Sequence, residues 1–268
     1  MTRAFATVLV VRPRAQALAW VDELAALGVA ARALPLIEIL PAPEPAQVAG
    51  ALDAVEAADA QPVLVFVSPN AVRGFFQSAA ASRGVPARAL AWPAHAWAAA
   101  TGPGTVAALR ECGVPGARIV APSADAAQFD SESLWTVLGA WPWAGRPVWL
   151  VRGNGGRDWL GQQLREAGAD VRVLQSYARA APALDDAERA LLADAVAVPG
   201  RCIWMFSSSE AIGRLQQILP DARWADGRAL ASHPRIAERA VAAGFGRVTI
   251  VSPSPAAVAR TLAEMPAS

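Results

Sequence analysis

Arginine is the residue type of this sequence that is best placed to do chemistry. The chain has 24 basic residues, and every one of them is arginine. A guanidinium is planar and binds a carboxylate through two parallel hydrogen bonds, worth roughly 1.5–3 kcal/mol when shielded from water. At the ends of apolar runs or in an extended segment, such groups are suited to binding carboxylates or phosphates, with a solvated surface role as the alternative for each. These candidates are Arg12, Arg14, Arg152, Arg157 and Arg179.

Small polar residues after apolar runs or at helix starts form the second group of candidates. In open parallel sheets, ligands bind beyond the carboxyl ends of the strands, and the first N–H groups of a helix favour anions. The same residue types cap helices, so capping stays open for each of them, and one side chain can serve both purposes. The candidates for binding an anionic group are Ser68, Asn70, Thr105, Ser207, Ser208 and Ser209.

Metal and nucleotide chemistry are not indicated by the remaining residues. The two cysteines and two histidines lie far apart, so no metal-ligand spacing occurs. The run Gly153–Gly156 fails the dinucleotide pattern because Asp158 stands where its last glycine is needed, and the chain has no Gly-Lys-Ser/Thr phosphate loop. We therefore expect no metal and no cofactor, and backbone amides of the glycine run that hold a carboxylate.

Composition excludes several other classes. The net charge of +1 argues against a protein that binds nucleic acid by broad phosphate neutralisation, and an apolar fraction of 54% supplies a core. The first apolar run stops at Arg12–Pro13, too early for a signal peptide. The uncharged stretch Ala89–Leu109 is interrupted by proline and glycine, which does not suit a bilayer helix. We expect a cytoplasmic protein with reduced cysteines and no membrane or nucleic-acid partner.

An internal repeat organises the chain. The apolar run Val8–Arg12 resembles Val148–Arg152, each followed by a helical pattern that stops at a glycine, and Val63–Val72 resembles Ile203–Ile212 at the same distance of 140 residues. Later elements repeat at a distance of 131 residues. Alternation of buried strands and helices predicts parallel sheets covered by helices, in two similar three-layer α/β domains.

Two extended segments separate the repeated parts. Leu34–Pro45 contains prolines that forbid a helix, and Val173–Pro182 occupies the equivalent place in the second copy. Two equivalent segments of this kind are predicted to link the two domains.

The ordered set of motifs resembles the uroporphyrinogen-III synthase family over nearly the whole chain. The resemblance implies two α/β domains joined by a two-stranded connector, the first from residues 1–37 and 178–268 and the second from 38–177. It also implies cofactor-free cyclisation of hydroxymethylbilane, a linear tetrapyrrole, with inversion of ring D and loss of water. The motifs are the first strand with Arg12–Pro13, Phe66–Val72, Gly102–Thr105, Ser131–Leu134, Arg152–Arg157, Tyr177–Arg179 and Phe206–Glu210.

The resemblance implies a role for Tyr177, the sole tyrosine of the chain. It matches the family's active-site tyrosine, and a phenol that stays protonated at neutral pH can donate to the departing hydroxyl oxygen. We expect its hydroxyl to be exposed; the alternative is a packing residue. The chain departs from the family in its second copy, where His233 and Ile236 replace the glycine and threonine of the Gly-x-x-Thr motif.

Two other functions stay open at this point. A two-lobed binding protein for a small anion would share the fold, although it would lack catalysis. A sugar-nucleotide or dinucleotide enzyme would share the strand–helix pattern, but the glycine fingerprint is missing. The leading interpretation is a monomeric enzyme that acts on a small tetrapyrrole polycarboxylate.

Overall fold

The structure is a computed structural model that describes residues 7–123, 125–126 and 128–265. The chain divides into two compact units. The terminal unit takes its described residues from Met1–Glu38 and Ala180–Ser268, and the central unit is Ile39–Arg179. The chain passes from one unit to the other inside the strands β3 (Glu38–Pro41) and β8 (Asp170–Ala180).

The terminal unit contains a parallel sheet of five strands in the order β11-β10-β9-β1-β2. Its strands are β1 (Thr7–Val10), β2 (Ala31–Ala33), β9 (Cys202–Phe206), β10 (Arg228–Ala231) and β11 (Arg247–Ile250). Its helices are α1 (Arg14–Ala26), α7 (Asp186–Ala197), α8 (Ser209–Ile218), α9 (Pro234–Ala242) and α10 (Pro255–Glu264).

The sheet of the central unit has the order β3-β8-β7-β4-β5-β6 and is parallel from β8 to β6. Its further strands are β4 (Val63–Phe66), β5 (Trp97–Ala100), β6 (Ile119–Val120) and β7 (Pro147–Gly153). Its helices are α2 (Pro45–Glu56), α3 (Pro69–Arg83), α4 (Pro103–Glu111), α5 (Ser131–Leu138) and α6 (Trp159–Glu166).

Each central strand is buried on both faces, which is why its sequence is a continuous apolar run. In the central unit, Leu64 and Phe66 of β4 pack with helices α2, α3 and α4, whereas Val63 and Val65 pack with α5 and α6. In the terminal unit, alternate residues of β1 and β9 pack with α1 and α10. The prediction of α/β layers with parallel sheets is confirmed.

The repeat seen in the sequence reappears as strand register. Val8 pairs with Ile203 in the terminal sheet, and Val148 pairs with Val63 in the central sheet. The repeat therefore relates two sheets of the same strand order, apart from β3, which is added at the edge of the central sheet. The glycines predicted to end the repeated helices have left-handed backbones, with φ of 75° at Gly28 and 95° at Gly168.

In the described part of the chain, no helix is both long enough and apolar enough to cross a membrane.

Candidate active site

The strand order of the central sheet reverses between β7 and β4. The chain continues from β7 to β8 on one side and from β4 to β5 on the other. In open parallel sheets, ligands bind at such a switch point, beyond the carboxyl ends of the strands. A cavity of about 150 Å³ lies there. Its walls are formed by Val67, Ser131, Leu150, Arg152, Gly153, Gly155, Gly156, Arg157, Leu160 and Arg179.

Tyr177 lies in β8 directly behind this wall. Its side chain is 1% exposed, so the expectation of an exposed phenol is wrong. The ring packs flat against Gly153, where a Cβ atom would stand only 2.6 Å from the ring atom Cζ. The β7–β8 ladder skips one residue at this point, because Arg152 pairs with Gln175 and Gly153 with Tyr177. Such a bulge re-aims a side chain, and here both Ser176 and Tyr177 are buried.

The phenol oxygen of Tyr177 belongs to a short hydrogen-bond chain. Arg179 donates through Nη2 to this oxygen at 2.7 Å, and its guanidinium carbon stands 5.3 Å from the ring centre. The oxygen of Ser68 lies 3.2 Å from the phenol oxygen on its other side. Ser68 also accepts a bond from the backbone N–H of Ala71 and so caps α3. Ser68 therefore caps α3 and contacts the phenol oxygen of Tyr177 with the same side chain.

Arg152 reaches the cavity from the end of β7, and Arg157 reaches it from the segment after this strand. Arg152 donates to Asp158 and to the carbonyl of Gly156, both at 3.3 Å. Arg157 holds Glu132 through two bonds of 2.7 and 2.9 Å, and these bonds raise the pKa of the Arg157 guanidinium. Both arginines therefore line the cavity while they pair with carboxylates of the same unit.

The other polar candidates lie at helix starts of the two units. In the central unit, Asn70 follows the first residue of α3, and Thr105 is a buried residue in the first turn of α4. In the terminal unit, Ser208 caps α8 by accepting from the N–H of Glu210, with Ser207 before it and exposed Ser209 after it. For Ser208 the capping alternative is the contact that the structure shows.

The two N-terminal arginines differ sharply from each other. Arg12 is half-buried against the ring of Trp20 and donates to the side-chain oxygen of Gln16 at 3.3 and 3.1 Å. Among the described residues it takes part in no ion pair, and burial lowers the pKa of its guanidinium. Arg14 instead grips the buried carboxylate of Glu188 in α7, with its Nη2 at 2.9 Å, and this contact raises the pKa of Arg14.

One residue at the site, Asn154, was absent from the sequence candidates. Its amide oxygen accepts from the backbone N–H of Arg179 at 2.5 Å, and its amide nitrogen donates to the Arg179 carbonyl at 3.0 Å. In the sequence, Asn154 stands out only by its place in the glycine run and in the motif Arg152–Arg157, where backbone amides are the predicted anion donors. Within the described residues, no group of His, Cys, Asp and Glu side chains is arranged to hold a metal ion.

Comparison with known proteins identifies the family to which this chain belongs. The family model described as Uroporphyrinogen-III synthase HemD matches residues 19–259. The uroporphyrinogen-III synthase of Escherichia coli (strain K12) is 31% identical over 214 residues, which are 80% of each chain. This chain belongs to the uroporphyrinogen-III synthase family. The predicted family and activity are confirmed: the chain acts in tetrapyrrole biosynthesis on a small-molecule substrate, as a cyclising lyase that is independent of a cofactor.

Solved structures of the family share the fold. A mutant uroporphyrinogen III synthase from the extreme thermophile Thermus thermophilus aligns with a TM-score of 0.60 at 19% identity, covering 97% of this chain and 100% of its own. The synthetase from Helicobacter pylori 26695 aligns with a TM-score of 0.58 at 16% identity and covers the same shares. The predicted family fold is therefore confirmed.

Proposed function

We propose that Tyr177 is the general acid of a cyclisation in which hydroxymethylbilane loses water and closes with ring D inverted. The observation that carries the proposal is the hydrogen-bond chain on the phenol, because its three members have complementary roles. Arg179 has only donors, so the phenol oxygen accepts from it and keeps its own proton for Ser68. Ser68 accepts from Tyr177 and from the backbone N–H of Ala71, which leaves the serine proton for a ligand.

The proton then reaches the substrate through Ser68. The phenol is buried, whereas Ser68 is half-buried at the carboxyl end of β4. As the hydroxymethyl C–O bond breaks, the serine proton passes to the leaving oxygen, the tyrosine proton replaces it, and water departs. The electron pair of the broken bond leaves with that oxygen, and the substrate carbon becomes an azafulvene cation. Negative charge developing on the phenol oxygen is stabilised by the Arg179 guanidinium.

Closure with inversion follows from the orientation of this cation. Attack by the substituted carbon of ring D gives a spiro intermediate, which fragments and closes again to the type III ring through the free carbon of ring D. That carbon then loses its proton, which returns through Ser68 to the phenolate of Tyr177. Attack by the free carbon of ring D gives the symmetric type I ring instead. The protein therefore has to hold one conformation of a flexible chain, and positioning of this kind contributes more than proton transfer alone.

We assign the substrate carboxylates to arginines and to helix starts. Arg12 is the strongest candidate, because a half-buried guanidinium with a neutral amide as its hydrogen-bond acceptor gains most from a carboxylate. Arg152 and Arg157 line the cavity and would exchange their present carboxylates for those of the substrate. Asn70, Thr105, Ser207, Ser208 and Ser209 complete the proposed binding set. Arg14 is assigned no substrate carboxylate, because its guanidinium already holds the carboxylate of Glu188.

The finer organisation is also part of the proposal. We propose domain boundaries at 37/38 and 177/178, which lie within two residues of the limits of the compact units at 38/39 and 179/180. We propose a monomer, because one chain supplies Arg179, Tyr177 and Ser68. We propose the cytoplasm as its location, because Cys112 and Cys202 are unpaired, which suits a reducing compartment. Neither nucleic acid nor a membrane is a proposed partner.

The test is Tyr177→Phe, assayed with hydroxymethylbilane and followed by separation of type I and type III porphyrins. General acid catalysis contributes ~10²–10⁴-fold, and we expect a loss at the low end because this leaving group departs readily. KM should change little, since the lost hydroxyl acts in the transition state. Because uncatalysed closure continues, the products should move toward type I.

Two controls make the result specific. Ser68→Ala should reduce kcat in the same direction, and the double variant should be no worse than Tyr177→Phe, because both residues belong to one proton path. Since Tyr177 is buried, thermal unfolding of each variant must be measured beside activity. A folded Tyr177→Phe enzyme with normal rate and normal type III yield refutes the acid role.

A further inference from the structure

Asn154 forms a side-chain clamp on the backbone of Arg179. Its carboxamide makes both of the hydrogen bonds that a neighbouring strand residue would make, at 2.5 and 3.0 Å. The backbone ladder between β7 and β8 ends at the pair Gly153 and Tyr177. Asn154 therefore adds one more rung to the ladder with its side chain, after the main chain of β7 has turned away.

This rung holds the backbone from which the guanidinium of Arg179 extends. Arg179 stands near the end of β8, beyond the last backbone pair that β8 makes with β7, and a strand end that has lost one neighbour frays more easily. With its backbone held, the Arg179 side chain reaches back to donate to the phenol oxygen of Tyr177 at 2.7 Å. The same guanidinium forms part of the cavity wall. A shift of the Arg179 backbone would move the guanidinium, and with it both the donor to the phenol oxygen and one part of the cavity wall.

We propose that Asn154 is a positioning residue for the proton path, acting through Arg179 on Tyr177. The inference rests on the proposed acid role of Tyr177 for its effect on rate, but not for its effect on structure. Asn154 is exposed, and its side-chain hydrogen bonds both go to the Arg179 backbone, so its replacement should spare the core of the unit. Its loss should therefore show itself at the site and not in the unfolding temperature.

The chain offers a direct probe, because Tyr177 is its only tyrosine. Tyrosine labelled with carbon-13 at Cζ gives one resonance, and that resonance reports the hydrogen bonds of the phenol oxygen. We expect Asn154→Ala to move or broaden this signal in the free enzyme at neutral pH. Gln162→Ala is the matched control: it removes an exposed amide of the same unit that donates to Glu166, and the signal should stay unchanged.

Kinetics give the second readout. Because misplacement by about 1 Å can cost up to 10²-fold, we expect Asn154→Ala to lower kcat about 10-fold with KM within about 3-fold, and to raise the type I fraction. Asn154→Asp should behave similarly at unchanged size, since it lacks the donor and sets a carboxylate against the Arg179 carbonyl. In an Arg179→Gln background, Asn154→Ala should cost less than about 2-fold, because residues that act through one another are not additive.

The outcomes separate this inference from the proposed function. An unchanged Tyr177 resonance in folded Asn154→Ala overturns the positioning role, whatever the rate. A changed resonance with full activity supports the positioning role and counts against Tyr177 as the acid. Full additivity with Arg179→Gln overturns the claim that Asn154 acts through Arg179. A large fall in unfolding temperature would make Asn154 an ordinary stabilising residue and would also overturn the inference.

Discussion

The segments that follow β1 and β7 begin alike and then diverge. Both strands end near an arginine, Arg12 or Arg152, at the repeat distance. In the terminal unit α1 begins at once, at Arg14, whereas in the central unit α6 begins only at Trp159. The residues between Gly153 and that helix make the loop that walls the cavity. A delayed helix start therefore leaves room for a site where the other unit continues directly into packing.

Residues at matching positions of the two units make different contacts. Asn154 stands at the repeat distance from Arg14; one holds the backbone of Arg179, and the other holds the carboxylate of Glu188 in α7. Tyr177 stands at the same distance from Ile37, a buried hydrophobic residue. The central unit thus differs from the terminal unit at matching positions by a hydroxyl, an amide and a longer loop.

The largest effect on this comparison is expected from Gly153→Ala. The added methyl group would stand 2.6 Å from Tyr177 Cζ and would push the ring out of its place. We expect a loss of about 1–3 kcal/mol in the free energy of unfolding and about 10–100-fold in kcat, with more type I product. Gly50→Ala in α2 is the control: it meets nothing within 4 Å and should stabilise the protein by about 0.5–1 kcal/mol. Normal selectivity of Gly153→Ala would contradict the packing of the ring.

A smaller and purely structural effect is expected from Arg14→Gln. The variant leaves the carboxylate of Glu188, which is 8% exposed, without its cation. We expect a loss of about 1–2 kcal/mol in denaturant unfolding, limited by the exposure of Arg14 itself, with the isomer ratio unchanged. Arg189→Gln breaks an exposed pair with Asp186 on the same helix and should cost less than about 0.5 kcal/mol. An altered isomer ratio at normal stability would indicate that Arg14 binds the substrate and would contradict a purely structural role.

The smallest effect is expected from Glu132→Gln, and it has the opposite sign. Glu132 occupies Arg157 through two hydrogen bonds in an exposed pair, so it competes with a substrate carboxylate. We expect KM to fall about 2–5-fold, which corresponds to the worth of an exposed ion pair. Arg157→Gln should raise KM, and Glu166→Gln, at the end of α6, should leave it unchanged. A rise in KM for Glu132→Gln would show that the pair shapes the cavity instead.

The features predicted correctly from the sequence are those set by local chemistry. Apolar runs predicted β1, β4, β7 and β9, and glycines such as Gly28 and Gly168 ended helices as expected because only glycine adopts a left-handed cap cheaply. Contacts between residues that lie far apart in the chain could not be predicted from the sequence. Nothing near Arg14 points to Glu188, which lies 174 residues away. The burial of Tyr177 depends on a bulge and on a glycine in the adjacent strand, so the exposed phenol that its connector position suggested was wrong.

The pairing of β1 with β9 also has a consequence for how the chain folds. The central unit is continuous, so its strands can assemble as soon as Arg179 has been synthesised. Val8 must instead wait for Ile203, which arrives after the whole central unit. Contacts so distant in sequence are slow to form, since the cost of closing the loop precedes any gain. Until then β1 can pair only with β2 and its other edge stays open, so we expect this edge to be a part of the nascent chain exposed to chaperones and to aggregation.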